Sequence, residues 1–153
     1  MSATAMNDEL LRLVQADQRT AGEPVHDGAT VEQLEQLRSQ ARAVLGVEVP
    51  HAFLGFLRES NGLDYNGLVI YDCTSSPQSP SRGFWQGLVA ANLAWRENPS
   101  LRSVLVLGDS DMDLFAWRPD TGAWLRMDRI AHDRVQTYPS FDALIEDALQ
   151  ARL

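Results

Sequence analysis

The run from Leu45 to Gly62 constrains the fold more than any other part of the sequence. Leu45-Gly46 reads as a helix ending at glycine, which takes the left-handed conformation that closes a helix. Val47 to Val49 is a short link. Pro50 suits the first turn of a new helix, where its missing N–H has no partner to lose. Asn61-Gly62 ends that helix or starts a turn. Phe53, Leu54, Phe56 and Leu57 lie between, enough apolar surface to bury most of one helix face. No residue in the run carries catalytic chemistry.

Helical spacing extends to both sides. Asn7 to Arg19 carries Leu10, Leu11, Leu13 and Val14 on a stripe, with Asn7 as the expected cap. Thr20 to Ala29 reads as a loop. Thr30-Val31-Glu32-Gln33 fits a capping box, and Leu34, Leu37, Ala41, Val44 and Leu45 follow at helical spacing. The third helix is expected from Pro50 to about Ser60.

After Gly62 the period changes. Gly67–Asp72, Ser103–Asp109, Asp113–Arg118, Ala123–Met127 and Val135–Tyr138 read as strands. Pro119-Asp120-Thr121-Gly122 is a strong turn joining two of them, and would set Trp117 and Trp124 as cross-strand neighbours. Thr74–Gly83 is a Ser/Pro loop, Phe84–Asn98 a helix stopped by Pro99, and Ser140 caps a last helix through Leu149. Clustered strands with flanking helices predict an α+β fold: one antiparallel-rich mixed sheet, helices packed on one side, and a C-terminal helix. One domain is expected over 1–153, with 1–29 an N-terminal helix and loop and 30–153 the core.

The chain has 153 residues, 21 acidic and 13 basic, for a formal charge of −8. An acidic surface repels nucleic acid and anionic lipid and speeds encounter with basic partners. All the basic residues are arginine. A single cysteine, Cys73, excludes an internal disulfide framework and an all-thiolate zinc site within one chain. No signal peptide and no run of about 20 apolar residues is visible, so a cytoplasmic protein without membrane attachment is expected.

Catalytic patterns are missing. His26, His51 and His132 do not pair at metal-ligand spacing. Gly108-Asp109-Ser110-Asp111 lacks the second glycine of a nucleophile elbow. Asp109, Asp111 and Asp113 superficially match a calcium loop, but Leu114 occupies the place that needs glycine. Asp72 beside Cys73 raises the thiol pKa and makes it less reactive. No enzyme activity, metal or cofactor is therefore expected.

Taken in order, several features resemble the SUKH superfamily, the Smi–Knr-like group of bacterial toxin-immunity proteins and their eukaryotic relatives. They are the Thr30–Leu45 helix with Leu45-Gly46 and Val49-Pro50, Phe53–Leu57 with Asn61-Gly62, and the Leu68–Tyr71 strand. Val106-Leu107-Gly108-Asp109, Asp113-Leu114-Phe115, the Asp120-Thr121-Gly122 turn and Pro139-Ser140-Phe141 with Leu144 complete the set. The family's glutamate about one turn before Leu-Gly is replaced by Gln40-Ala41-Arg42. The resemblance implies an immunity protein that binds a secreted or contact-delivered toxin one-to-one and occludes it without catalysis. A basic toxin such as a nuclease would fit the charge, with no direct binding of nucleic acid. The alternative is a scaffold or regulatory module with no toxin partner.

For a toxin partner, the expected contacts are acidic and aromatic groups on the sheet's loops. Asp64, Tyr65 and Asn66 follow the Asn-Gly stop, and Tyr71 and Asp72 end a strand. Trp85 and Tyr65 are the expected aromatic anchors. Asp109, Asp111 and Asp113 would form an acidic patch that accepts charge-assisted bonds from Arg or Lys.

Overall fold

A computed structural model describes residues 3–74 and 87–153. Most of the loop expected over 74–83, the start of the helix expected at Phe84, and Trp85 lie outside the described residues. The helices are α1 (Ala3–Thr20), α2 (Val31–Gln40), α3 (His51–Glu59), α4 (Leu88–Trp95) and α5 (Phe141–Gln150). The strands β1 (Leu63–Tyr65), β2 (Leu68–Ile70), β3 (Leu105–Asp109), β4 (Asp113–Trp117), β5 (Trp124–Asp128) and β6 (Arg134–Tyr138) form one sheet in sequence order. Every neighbouring pair is antiparallel. This is the α+β architecture that the strand and helix order implies.

The punctuation acts as read. Thr30 accepts from the Gln33 N–H at 3.1 Å, and Gln33 Oε1 accepts from the Thr30 N–H at 2.8 Å, closing a capping box. The helix widens into a π turn over Ala41–Leu45 and stops at Gly46, whose φ of 66° is the left-handed value glycine takes freely. Pro50 precedes α3 as its cap, with φ −61° and ψ 140°, rather than lying inside it. Ser140 caps α5 through the Ala143 N–H at 3.1 Å.

Two expectations are corrected. The first helix begins at Ala3, so Asn7 is inside it and does not cap it. Ala3-Thr4-Ala5-Met6 includes good helix formers, and Asn7 instead donates across to the Asp142 carbonyl at 3.0 Å. Asp64 and Tyr65, expected in a loop, are in β1. A two-residue turn, Asn66 (φ 49°) and Gly67 (φ 83°), pairs Tyr65 with Leu68. Asn-Gly with both φ positive matches the right-handed twist of a hairpin.

The core lies between the helices and the sheet, and every helix contributes buried residues to it. Phe141 packs on Phe53, Phe56 and Trp124 with centroids 6.0, 6.1 and 5.4 Å away. Trp117 and Trp124 face each other across β4–β5, 6.1 Å apart, as the intervening turn requires. Beyond the last β2–β3 pairs, the buried Asn92 of α4 takes the place of a strand. Its amide donates to the Val106 carbonyl and accepts from the Val106 N–H, both at 2.8 Å. A buried strand edge is thereby satisfied by one side chain.

Candidate partner-binding site

Two loops meet at one end of the sheet. The β3–β4 loop turns tightly because the Ser110 N–H donates to the Asp113 carbonyl at 2.8 Å while Ser110 Oγ accepts from the Asp113 N–H at 3.2 Å. The β5–β6 turn closes through the Asp128 N–H to Asp133 O at 2.8 Å and the His132 N–H to Asp128 O at 2.9 Å. The Asp128 carboxylate accepts from the Ile130 and Ala131 N–H groups at 3.0 and 2.6 Å. These bonds hold its pKa below the usual aspartate range. The Arg129 N–H donates to the Met112 carbonyl at 3.0 Å and ties the loops together. Met112 and Ile130, on the two joined loops, are left 70% and 90% exposed.

A polar network supports this surface. The Arg129 guanidinium donates to Asp109 Oδ1 at 2.7 Å and to the Ser110 carbonyl at 2.8 Å, and lies 5.3 Å over the Trp95 ring. Trp95 Nε1 donates to the Tyr71 hydroxyl at 2.9 Å, and that hydroxyl donates to the Asp109 carboxylate. Burial pushes the Tyr71 phenol well above its ordinary pKa, and Asp109 adds to the shift. The His132 ring meets the Trp95 edge at 6.5 Å, and its Nδ1 bonds Ser100 Oγ at 2.7 Å. His132 holds φ 61°, in the left-handed region that few non-glycine residues occupy. Backbone strain of this kind persists where the surroundings over-determine it, and it clusters at functional sites.

The aspartates of the expected acidic patch lie in ion pairs. Asp109, Asp111 and Asp113 each face a different arginine: Arg129 at 2.7 Å, Arg152 at 2.8 Å and Arg126 at 3.7 Å. Each carboxylate thus has a cation beside it, and only Asp111 is largely exposed. The bond from Arg152 holds the Asp111 carboxyl below its usual range. Arg152 also donates to the Asn66 carbonyl at 3.1 Å and accepts from Asn66 Nδ2 at 3.0 Å, so the structure brings Asn66 and Asp111 together.

Tyr65 and Tyr71 are 3% and 1% exposed, and their rings are core rather than anchors. The Tyr65 hydroxyl donates to Asp17 at 2.6 Å, and that bond leads in raising its pKa to about 12. Asp64 is half-buried in β1, and its carbonyl accepts from Gln18 at 3.2 Å. Asp72 is half-buried and accepts from the Thr74 N–H at 2.8 Å. Burial first, then Asp72, raises the Cys73 thiol to about 11, in keeping with an unreactive cysteine.

Sequence reasoning missed Met112, Ile130, Trp95, Arg129 and His132 as a group. A local signal existed: Ile130 is a large apolar residue in the middle of a polar turn, with Asp128 and Asp133 at its ends. Among the described residues, no group of three or more His, Cys, Asp or Glu side chains is placed to hold a metal ion. Nor, among the described residues, is any helix long and apolar enough to cross a membrane. No protein-family model matches this chain, and no curated protein matches it.

Proposed function

We propose that the protein is a SUKH-like immunity protein that binds a cognate antibacterial toxin in the cytoplasm and occludes it without catalysis. The observation that carries this reading is the surface formed by the 109–113 and 128–133 loops. It presents exposed Met112 and Ile130 on a braced platform of Trp95, Arg129 and Asp109. Exposed apolar side chains on a rigid support, ringed by charge, are what a protein partner's pocket recognises. The order of motifs along residues 30–150 supports the family, and the charge of −8 favours fast encounter with a basic toxin.

The test is co-expression with a toxin-domain protein encoded beside this gene. Restored growth, a one-to-one complex on gel filtration, and loss of both in Ile130→Asp are the expected results. Growth arrest that this chain does not relieve, or a complex with a non-toxic housekeeping protein instead, would move the assignment to a regulatory binding module.

A further inference from the structure

A cavity of about 310 Å³ opens between α1, α3 and α5, and none of its lining residues belongs to the loop surface described above. Its volume is at the lower end for small-molecule sites, about 300 Å³, which suits one side chain or a small organic ion. Among the described residues the polar lining is Asn7, Asp8, Glu59 and Asp142, none of them basic. Arg12 lines a smaller adjoining hollow that shares Asp8 and Glu59. The rest of the lining is apolar and includes Phe56.

Two further observations point to a ligand. Asn7 is 9% exposed and donates its amide to Asp142, and its Oδ1 has no hydrogen-bond partner among the described residues. Buried acceptors without partners are rare in folded proteins, and each calls for an explanation. In addition, Gly55 lies in the interior of α3, where glycine is less favourable than alanine. A Cβ at Gly55 would meet nothing within 4 Å, so no packing excludes one. The missing side chain leaves the cavity open at that point.

We propose that this cavity binds an alkylguanidinium group. Carboxylates hold a planar guanidinium through paired charge-assisted bonds. The apolar lining takes the alkyl stem, and an aromatic face attracts the cation. The source is either an arginine side chain of a basic protein or a free guanidino compound. The inference stands whether or not the loop surface binds a toxin.

The experiment titrates acetyl-arginine-amide, agmatine and the uncharged acetyl-citrulline-amide into the full chain, following the backbone amide resonances of Gly55, Phe56 and Asp142. Saturable shifts with the two cations, and at least tenfold weaker response to citrulline, are expected. Gly55→Leu fills the open space and abolishes the shifts while the melting temperature holds or rises. Glu59→Gln, at an exposed side chain, weakens binding severalfold and serves if the leucine variant does not fold. Preference for acetyl-arginine-amide assigns the site to a protein side chain, and preference for agmatine to a free compound. Equal response to citrulline, no saturable shift with either cation, or unchanged binding in both variants would overturn the proposal.

Discussion

Strand β5 begins and ends in the same turn, built from different residues. In the first, the Arg118 N–H donates to Ala123 O at 2.9 Å and the Gly122 N–H to Arg118 O at 2.8 Å. In the second, Asp128 and His132 make the equivalent bonds to Asp133 and Asp128 at 2.8 and 2.9 Å. The left-handed position is Gly122 at 75° in one and His132 at 61° in the other. Exposed Asp120 in the first corresponds to exposed Ile130 in the second. One turn is closed by local chemistry alone. The other keeps a strained side chain and an apolar tip, and both make sense only through what lies beyond the turn.

The largest effect should come from removing the platform under the second turn. Trp95→Ala deletes the surface under Arg129, the donor to Tyr71 and the edge contact with His132. A loss on the order of 3 kcal/mol in urea unfolding is expected, the low end for Trp→Ala because the ring is only half-buried. A loss under about 1 kcal/mol would mean that the network does not hold the loops. Next is the tip itself. Ile130→Asp should lower affinity for the proposed toxin by about 2 kcal/mol, roughly thirtyfold, and change stability by less than about 0.5 kcal/mol. The matching change at the first turn, Asp120→Ala, should leave affinity unchanged, and isothermal titration of both variants separates the two turns.

How far the sequence could be read follows the same division. The first turn was legible because Pro119, Asp120, Thr121 and Gly122 each favour a turn on their own, and the Trp117–Trp124 pairing follows from it. The second carries no glycine, and its left-handed residue, His132, contacts Trp95 and Ser100 from beyond the turn. Similarly, Asp109 and Asp111 looked like one patch because their arginine partners are 20 and 41 residues away in sequence. Charge alternation is visible along a strand, whereas neutralisation by a distant residue is not. The helix boundaries at Thr30, Gly46 and Ser140 were legible because capping is a contact between near neighbours.

Alkaline pH should probe the network beneath the second turn. Tyr71 is favoured as the neutral phenol in the folded protein, since burial and Asp109 both raise its pKa from the ordinary 10.0. The unfolded chain ionises near that ordinary value and the folded one does not. The stabilisation is therefore complete below pH 10 and lost as pH rises above it, with a slope of at most about 1.4 kcal/mol per pH unit for one group. Tyr65 and Tyr138, each raised to about 12, add the same sign between about 10 and 12. Tyrosinate absorbance should stay low at pH 11 until the chain unfolds. Tyr71→Phe should make the fall in stability above pH 10 shallower, and an unchanged slope would show that Tyr71 ionises freely in the fold.

The smallest effects discriminate most finely between the two turns. Gly122→Ala should destabilise by about 1 kcal/mol, the penalty of a left-handed L-residue. No clash adds to it, because a Cβ there meets nothing within 4 Å. His132→Ala keeps the strained backbone and loses the Ser100 and Trp95 contacts, so about 1 kcal/mol should be lost there too. His132→Gly loses the same contacts but relieves the backbone, so the two terms should nearly cancel, leaving a change close to zero. Glycine is thus the best residue at 122 and no better than histidine at 132. If His132→Gly instead raised stability by a full ~1 kcal/mol, the ring contacts would be energetically idle in the free protein. The strain at His132 would then be maintained for what the loop surface binds, and the variant's loss of partner affinity should exceed its change in stability.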